Sequence, residues 1–209
     1  MTKEITRRQP PRFELTAGHL CLDFVNTLDD RPSGEPKELL KNYADLARFA
    51  EDTGILEISD VDELMKRSLM DPEGAAHALR AAIELREAIY AIVTAFMKKQ
   101  PVPAKELAHL NEHVQYAAEH SYLVKRNGKF EWQFDRLGGF DAIAWRIARA
   151  AAELLASDQL VFVRACSSKT CQWLFLDTSK NHRRRWCSMK LCGNRSKVRL
   201  YYARQKRVG

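Results

Sequence analysis

Four cysteines near the C-terminal end fall into two pairs of the same spacing, Cys166-Ser-Ser-Lys-Thr-Cys171 and Cys187-Ser-Met-Lys-Leu-Cys192. Four residues stand inside each pair and 15 separate the pairs. Two close pairs that clamp a loop can supply the four thiolates of a tetrahedral zinc, at Zn–S distances of about 2.3 Å. Iron–sulfur clusters also use four thiolates, but at other spacings, and a redox pair favours two intervening residues. The spacing therefore predicts one zinc ion held by Cys166, Cys171, Cys187 and Cys192. Four protein ligands leave no open position for water, so the ion is expected to be structural and not catalytic. The fifth cysteine, Cys21, lies in an apolar segment and reads as a core residue.

The charge around those cysteines is one-sided. Residues 166–209 carry 12 Lys or Arg and a single acid, Asp177, whereas the preceding 165 residues carry 22 basic and 26 acidic side chains. Four thiolates around one Zn²⁺ sum to about −2, which offsets only a small part of the excess. Such asymmetry predicts a polyanion-binding tail, with nucleic acid the expected partner and a protein-interaction finger the alternative. Arg183, Arg184 and Arg185 are candidates for phosphate contacts, since the guanidinium fork grips phosphate in bidentate fashion. Asn194 and Arg195, at the start of the last helix, have side chains suited to base edges, although Asn194 could equally cap that helix. Lys197 and Arg199 extend the basic surface. Arg204, Lys206 and Arg207 continue it, and Val198, Tyr201 and Tyr202 form a side fit to pack on the metal core.

The elements that must position these residues can be read locally. Trp173 to Leu176 predicts a strand, Asp177 to Asn181 its turn, and Arg183 to Trp186 the returning strand. Knuckle, hairpin and helix in that order would make a small treble-clef-like finger over residues 161–209. Before it, residues 13–160 read as a mainly α domain, and residues 1–12, with Pro10 and Pro11, as a loose arm. Gly18 to Leu28 predicts a short buried helix. Leu39, Leu40, Tyr43, Leu46, Ala47 and Ala50 fall at helical spacing, and Gly54 ends that helix. Ser59 with Asp62 resembles a capping box, and Asp71-Pro72 marks the start of the longest apolar stripe, Ala78 to Phe96, broken by Pro101 and Pro103. Glu106 to His120 predicts a further helix. Tyr122 to Phe134 is two alternating runs joined by Asn127-Gly128, a hairpin signal, and a glycine pair at 138–139 precedes a helix to about Ser157.

The body offers no convincing catalytic set. It has no phosphate loop, dinucleotide fingerprint or nucleophile elbow. His109 and His113 stand one helical turn apart, but the residues between them do not form a metalloprotease motif, and a solvated face is the plainer expectation. His19, Asp23, Asn26 and Thr27 are the polar residues of the first apolar segment; they could line a small-molecule pocket or brace the helix. No apolar run reaches the roughly 18 residues of a membrane helix, and the N-terminus lacks a signal-peptide core. A reducing, cytoplasmic setting is expected, with thiols rather than disulfides.

Two stretches resemble known families. WLFLDTSKNHRRRWCSMKLCGNRSKVRLYYAR is similar to the CGNR zinc finger, whose tetrapeptide stands here as Cys192-Gly193-Asn194-Arg195, and GHLCLDFVNTL is similar to the opening of the ABATE domain. The resemblance implies a bacterial transcription regulator linked to stress. Its N-terminal domain would sense a signal or dimerise, its finger would bind DNA, and the four cysteines named above would be the zinc ligands. The expectation is thus a non-enzymatic regulator, with a small-molecule effector and a homodimer as further expectations. An RNA- or ribosome-associated protein, or an enzyme with a structural zinc finger, is the alternative.

Overall fold

The computed structural model describes residues 13–135, 139–199 and 205. The arm expected at 1–12, Gly138 of the glycine pair, and Tyr201, Tyr202, Arg204, Lys206 and Arg207 lie outside them. The chain runs through α1 (Leu20–Val25), β1 (Leu28–Asp29), β2 (Lys37–Glu38), α2 (Tyr43–Thr53), α3 (Ile58–Met70), α4 (Pro72–Met97) and α5 (Ala104–Glu119). It continues through β3 (Ser121–Arg126), β4 (Lys129–Phe134), α6 (Ala142–Leu155), β5 (Val163–Ala165) and β6 (Leu174–Leu176). The fold is mainly helical, with small antiparallel two-stranded ribbons, as the patterning predicts.

Local chemistry sets the starts of α2 and α4. The Asp71 carboxylate accepts from the Gly74 N–H at 2.9 Å and Pro72 takes the first helical position, so α4 begins where expected. Gly54, at φ 70°, closes α2 in the left-handed conformation that glycine adopts without strain. Three expectations need correction. The Asn42 side chain accepts from the Asp45 N–H, so α2 starts at Tyr43, and Leu39 and Leu40 precede it outside the helix. Leu40 is buried all the same, which is why its spacing mimicked a helix face. Ser59 and Asp62 lie inside α3, whose N-cap is Glu57 without a side-chain bond, so no capping box forms there. His109 and His113 are half-buried, with ring centroids 5.0 Å apart, and do not form a solvated face.

The core is organised on α4, which packs against α1, α2, α3, α5 and α6. Among the described residues its one buried cation, Arg86, is 2% exposed and tied to β2: both terminal guanidinium nitrogens reach the Glu38 carboxylate at 2.7 Å. Arg86 also donates to the Thr27 hydroxyl at 3.2 Å and to Glu87 at 2.9 Å. Arg31 pairs with Glu87 at 2.8 Å and lies over the Tyr90 ring. The loop from Leu28 to Glu38 is thereby clamped onto α4.

The cysteine module joins this core without a break. Cys166, Cys171, Trp173 to Leu176, Cys187 and Cys192 belong to the same buried cluster as Leu22, Phe24, Ile143 and Ile147. The junction is specific. The Asn26 amide donates to the Leu174 carbonyl at 2.9 Å, and its carbonyl oxygen accepts from the Leu174 N–H at 3.0 Å, so one side chain pairs with β6 as a strand would. The Leu176 N–H donates to the Ala17 carbonyl at 2.7 Å, beside Gly18, whose φ of +76° allows the close turn. Asn26→Ala leaves a buried N–H and a buried C=O without partners, an expected loss of about 3 kcal/mol in denaturant unfolding. A loss under about 0.5 kcal/mol would show that water or a neighbouring group replaces the amide.

Candidate metal centre and nucleic-acid interface

Two hairpin-like turns bring the cysteines together. β5 and β6 pair antiparallel, Val163 opposite Leu176 and Ala165 opposite Leu174, and the first cysteine pair sits in the loop between them. This is a correction to the expected hairpin: β6 pairs with the segment before Cys166, and Arg183–Trp186 forms no strand. The reason is Asp177. Its carboxylate accepts from the Ser179 N–H, the Ser179 hydroxyl and the Arg184 N–H at 3.0, 2.6 and 2.9 Å, which folds the chain back as a loop. Burial works against that carboxylate, but the Ser179 and Arg184 bonds outweigh it and hold it below its ordinary range. The only acid of the tail is therefore structural.

The second pair is carried on a tight turn, Met189–Gly193, capped by the Ser188 hydroxyl, which accepts from the Leu191 N–H. Residues 194–199 continue as helix. The four sulfurs lie within 4.8 Å of one another and all four cysteines are buried. Cys171 to Cys187 and Cys187 to Cys192 measure 3.7 and 3.6 Å between sulfurs. Tetrahedral ligation at about 2.3 Å requires edges of about 3.8 Å, so the set fits one zinc ion. Among the described residues no other group of three or more His, Cys, Asp or Glu is gathered closely enough to hold a metal.

Electrostatics point the same way. Donation from Cys171 and Cys187 pushes the Cys166 thiol down, while their bonds with Cys166 push the Cys171 and Cys187 thiols up. Four crowded sulfurs cannot all ionise alone, and a divalent cation relieves that conflict. Arg195 supplies a further positive group, its guanidinium 3.6 Å from the Cys192 sulfur.

The expected nucleic-acid residues divide on their surroundings. Arg183 and Arg185 are exposed. Arg184 is not free for phosphate: its guanidinium donates to the carbonyls of Thr16, at 2.8 Å, Trp186, at 2.9 Å, and Cys187, and lies 4.4 Å over the Phe175 ring. It pins the second cysteine pair to the body. Asn194 is exposed where the tight turn passes into the helical run; it stands as the C-cap of that turn, and Ser188 caps the turn's start. Arg195, Lys197 and Arg199 are exposed beside it. Val198, expected on the metal core, is 54% exposed; Trp173 and Trp186 cover that core instead.

The polar residues of the first segment turn inward. Thr27 donates to the Phe24 carbonyl at 2.7 Å, Asn26 binds β6, and His19 Nδ1 lies 3.2 Å from the Cys21 sulfur. They brace the junction with the module. Asp23 accepts from the Ala17 N–H at 2.9 Å, and burial pushes its carboxyl up to about 6, against the pull of the Ala17 and Thr16 amides and Arg184. The folded state thus holds this proton more tightly than the unfolded state, whose value is near 3.8, and the stability it contributes falls as pH rises through that window. Asp23→Asn, which keeps the acceptor oxygen, should gain in urea midpoint relative to the parent between pH 4 and pH 6, then level off. An offset independent of pH would count against this assignment.

Residues 18–158 match the family model ABATE, described as "Putative stress-induced transcription regulator", and residues 163–205 match the CGNR zinc finger. No curated protein matches the chain.

Proposed function

The chain belongs to the ABATE family and carries a CGNR zinc finger at its C-terminal end, and on that footing we propose that it is a transcription regulator whose finger binds duplex DNA. One observation carries the reading. Arg183, Arg185, Lys190, Lys197 and Arg199 are exposed around a closed metal centre, and among the described residues no ion pair neutralises any of them. Cations held on a rigid scaffold without acidic partners suit phosphate contact. Asn194 and Arg195 are exposed on the same helical segment and are the candidates for base edges, Arg195 on releasing its contact with the Cys192 sulfur.

The body is the sensing or dimerising part of this proposal, and the protein acts as a regulator and not as an enzyme. Among the described residues no helix is long and apolar enough to cross a membrane. A small-molecule effector has room in a cavity of about 500 Å³ between α3, the β3–β4 ribbon and the start of α6, lined by Arg67, Arg126, Arg146 and Glu63 among others. Tight integration of β6 with α1 gives a route by which the body could alter the finger.

Replacing Arg183 and Arg185 together by Ala should weaken duplex binding by roughly tenfold or more and make the salt slope shallower by about 2, without loss of zinc. Anisotropy titrations at several salt concentrations read both. An unchanged affinity and slope would remove the finger from the interface; equal loss on RNA of matched length would favour RNA recognition.

A further inference from the structure

The β3–β4 ribbon is unlike the rest of the body surface. Its turn, Asn127-Gly128, has both residues at positive φ, 51° and 80°, a tight two-residue loop that fixes the register. That register sets Ser121 opposite Phe134, Leu123 opposite Trp132 and Lys125 opposite Phe130, all on one face. Each aromatic of that face has a cation beside it. Arg146 lies 4.4 Å over Phe134, Arg149 3.7 Å over Trp132, and the Lys125 ammonium 5.9 Å from the Phe130 ring centre. Toward the tip this ladder is open to solvent, with Phe130 71% and Trp132 51% exposed. A ribbon that served only to cover α6 would bury these rings.

The tip is basic. Lys125, Arg126 and Lys129 flank the turn, all exposed, and among the described residues no ion pair engages them. The ribbon's one acid, Glu131, pairs with Val124 on the opposite face. These features sit on a body that otherwise holds more acids than bases. Charge complementarity therefore selects a polyanion, and exposed rings interleaved with cations suit unpaired bases, whose faces stack on aromatics whatever their sequence. α6 carries Arg146 and Arg149 beside the ribbon and leads through the short 3-10 turn Asp158–Phe162 into β5, with about 9 Å of helix rise between Arg149 and Leu155. α6 and the 3-10 turn after it thus connect the ribbon to the finger.

We infer that the β3–β4 ribbon is a second nucleic-acid contact, its basic tip holding backbone phosphates and Phe130 stacking on an unpaired base. The inference rests on the proposed nucleic-acid binding by the finger. Its test uses the zinc-loaded full chain with two labelled probes, an oligothymidylate of about 20 nucleotides and a duplex of the same length. Phe130→Ala, at an exposed position, should weaken single-strand binding by about 5- to 100-fold and leave duplex binding within about twofold. The triple change Lys125→Ala, Arg126→Ala, Lys129→Ala should weaken both and reduce the salt slope by about 2 to 3. Unchanged single-strand affinity for Phe130→Ala overturns the inference. So does a shift in sedimentation with both affinities intact, which would make the ribbon a self-association surface. The Arg183/Arg185 variant run alongside separates the two readings: if it alone is without effect, the finger reading fails while the ribbon stands. No binding of either probe by the parent chain overturns both.

Discussion

Cys187→Ser should lose the metal and unfold the C-terminal module. The Cys187 sulfur lies 3.7 Å from that of Cys171 and 3.6 Å from that of Cys192, so its loss leaves only three thiolates for a tetrahedral ion. Structural zinc contributes about 10–16 kcal/mol of binding in isolated fingers, and for so small a module that is folding free energy. The effect is expected to spread. Leu174, Phe175 and Leu176 are buried in the same core as α1, and Arg184 holds the second cysteine pair to the Thr16 carbonyl. The melting temperature of the whole chain should therefore fall, and zinc content by elemental analysis should drop from one per chain to near zero. Cys21→Ser is the control: its sulfur lies beside His19 in the body core, so zinc should stay at one per chain. Full zinc retention by Cys187→Ser would contradict the four-thiolate assignment.

Arg86→Met should be among the most damaging single changes in the body. The guanidinium is 2% exposed and satisfies both oxygens of Glu38, which is itself about a third exposed. Removing one partner of such a pair strands the other, at about 3 kcal/mol when the remaining carboxylate can recruit some water. For a chain of this size that corresponds to a melting temperature lower by about 10 °C. The accompanying loss of the Thr27 and Glu87 bonds frees the clamp on the loop from Leu28 to Glu38. A double change, Arg86→Met with Glu38→Leu, should recover most of the loss, because it removes the stranded charge. No recovery would place the cost in packing and not in the ion pair.

The metal ligands were legible because chemistry at fixed spacing needs no tertiary information. The hairpin at Asn127-Gly128 and the start of α4 at Asp71-Pro72 were legible for a similar reason, since both depend on backbone preferences of adjacent residues. What escaped were roles decided by distant partners. Arg183, Arg184 and Arg185 are identical in sequence, yet only Arg184 meets the carbonyls of Thr16, Trp186 and Cys187. Asn26 pairs with Leu174 across 148 positions, which no local pattern records. Asp177 is the lone acid of the tail, and that isolation is the sequence signal of its internal task. The returning strand was misplaced because Arg183–Trp186 flanks a turn as a hairpin would, while the true partner of β6 lies on the far side of the cysteine knuckle.

The central claim is that a metal-ordered basic surface binds duplex DNA, and one titration tests it most directly. The full chain, zinc-loaded and then stripped with a chelator, is titrated against a labelled duplex across a range of salt. Zinc-loaded protein should bind with a log–log salt slope near −5, corresponding to about six phosphate contacts, and stripping should abolish binding until zinc is restored. Absence of binding at low salt, or binding that survives metal removal unchanged, would contradict it.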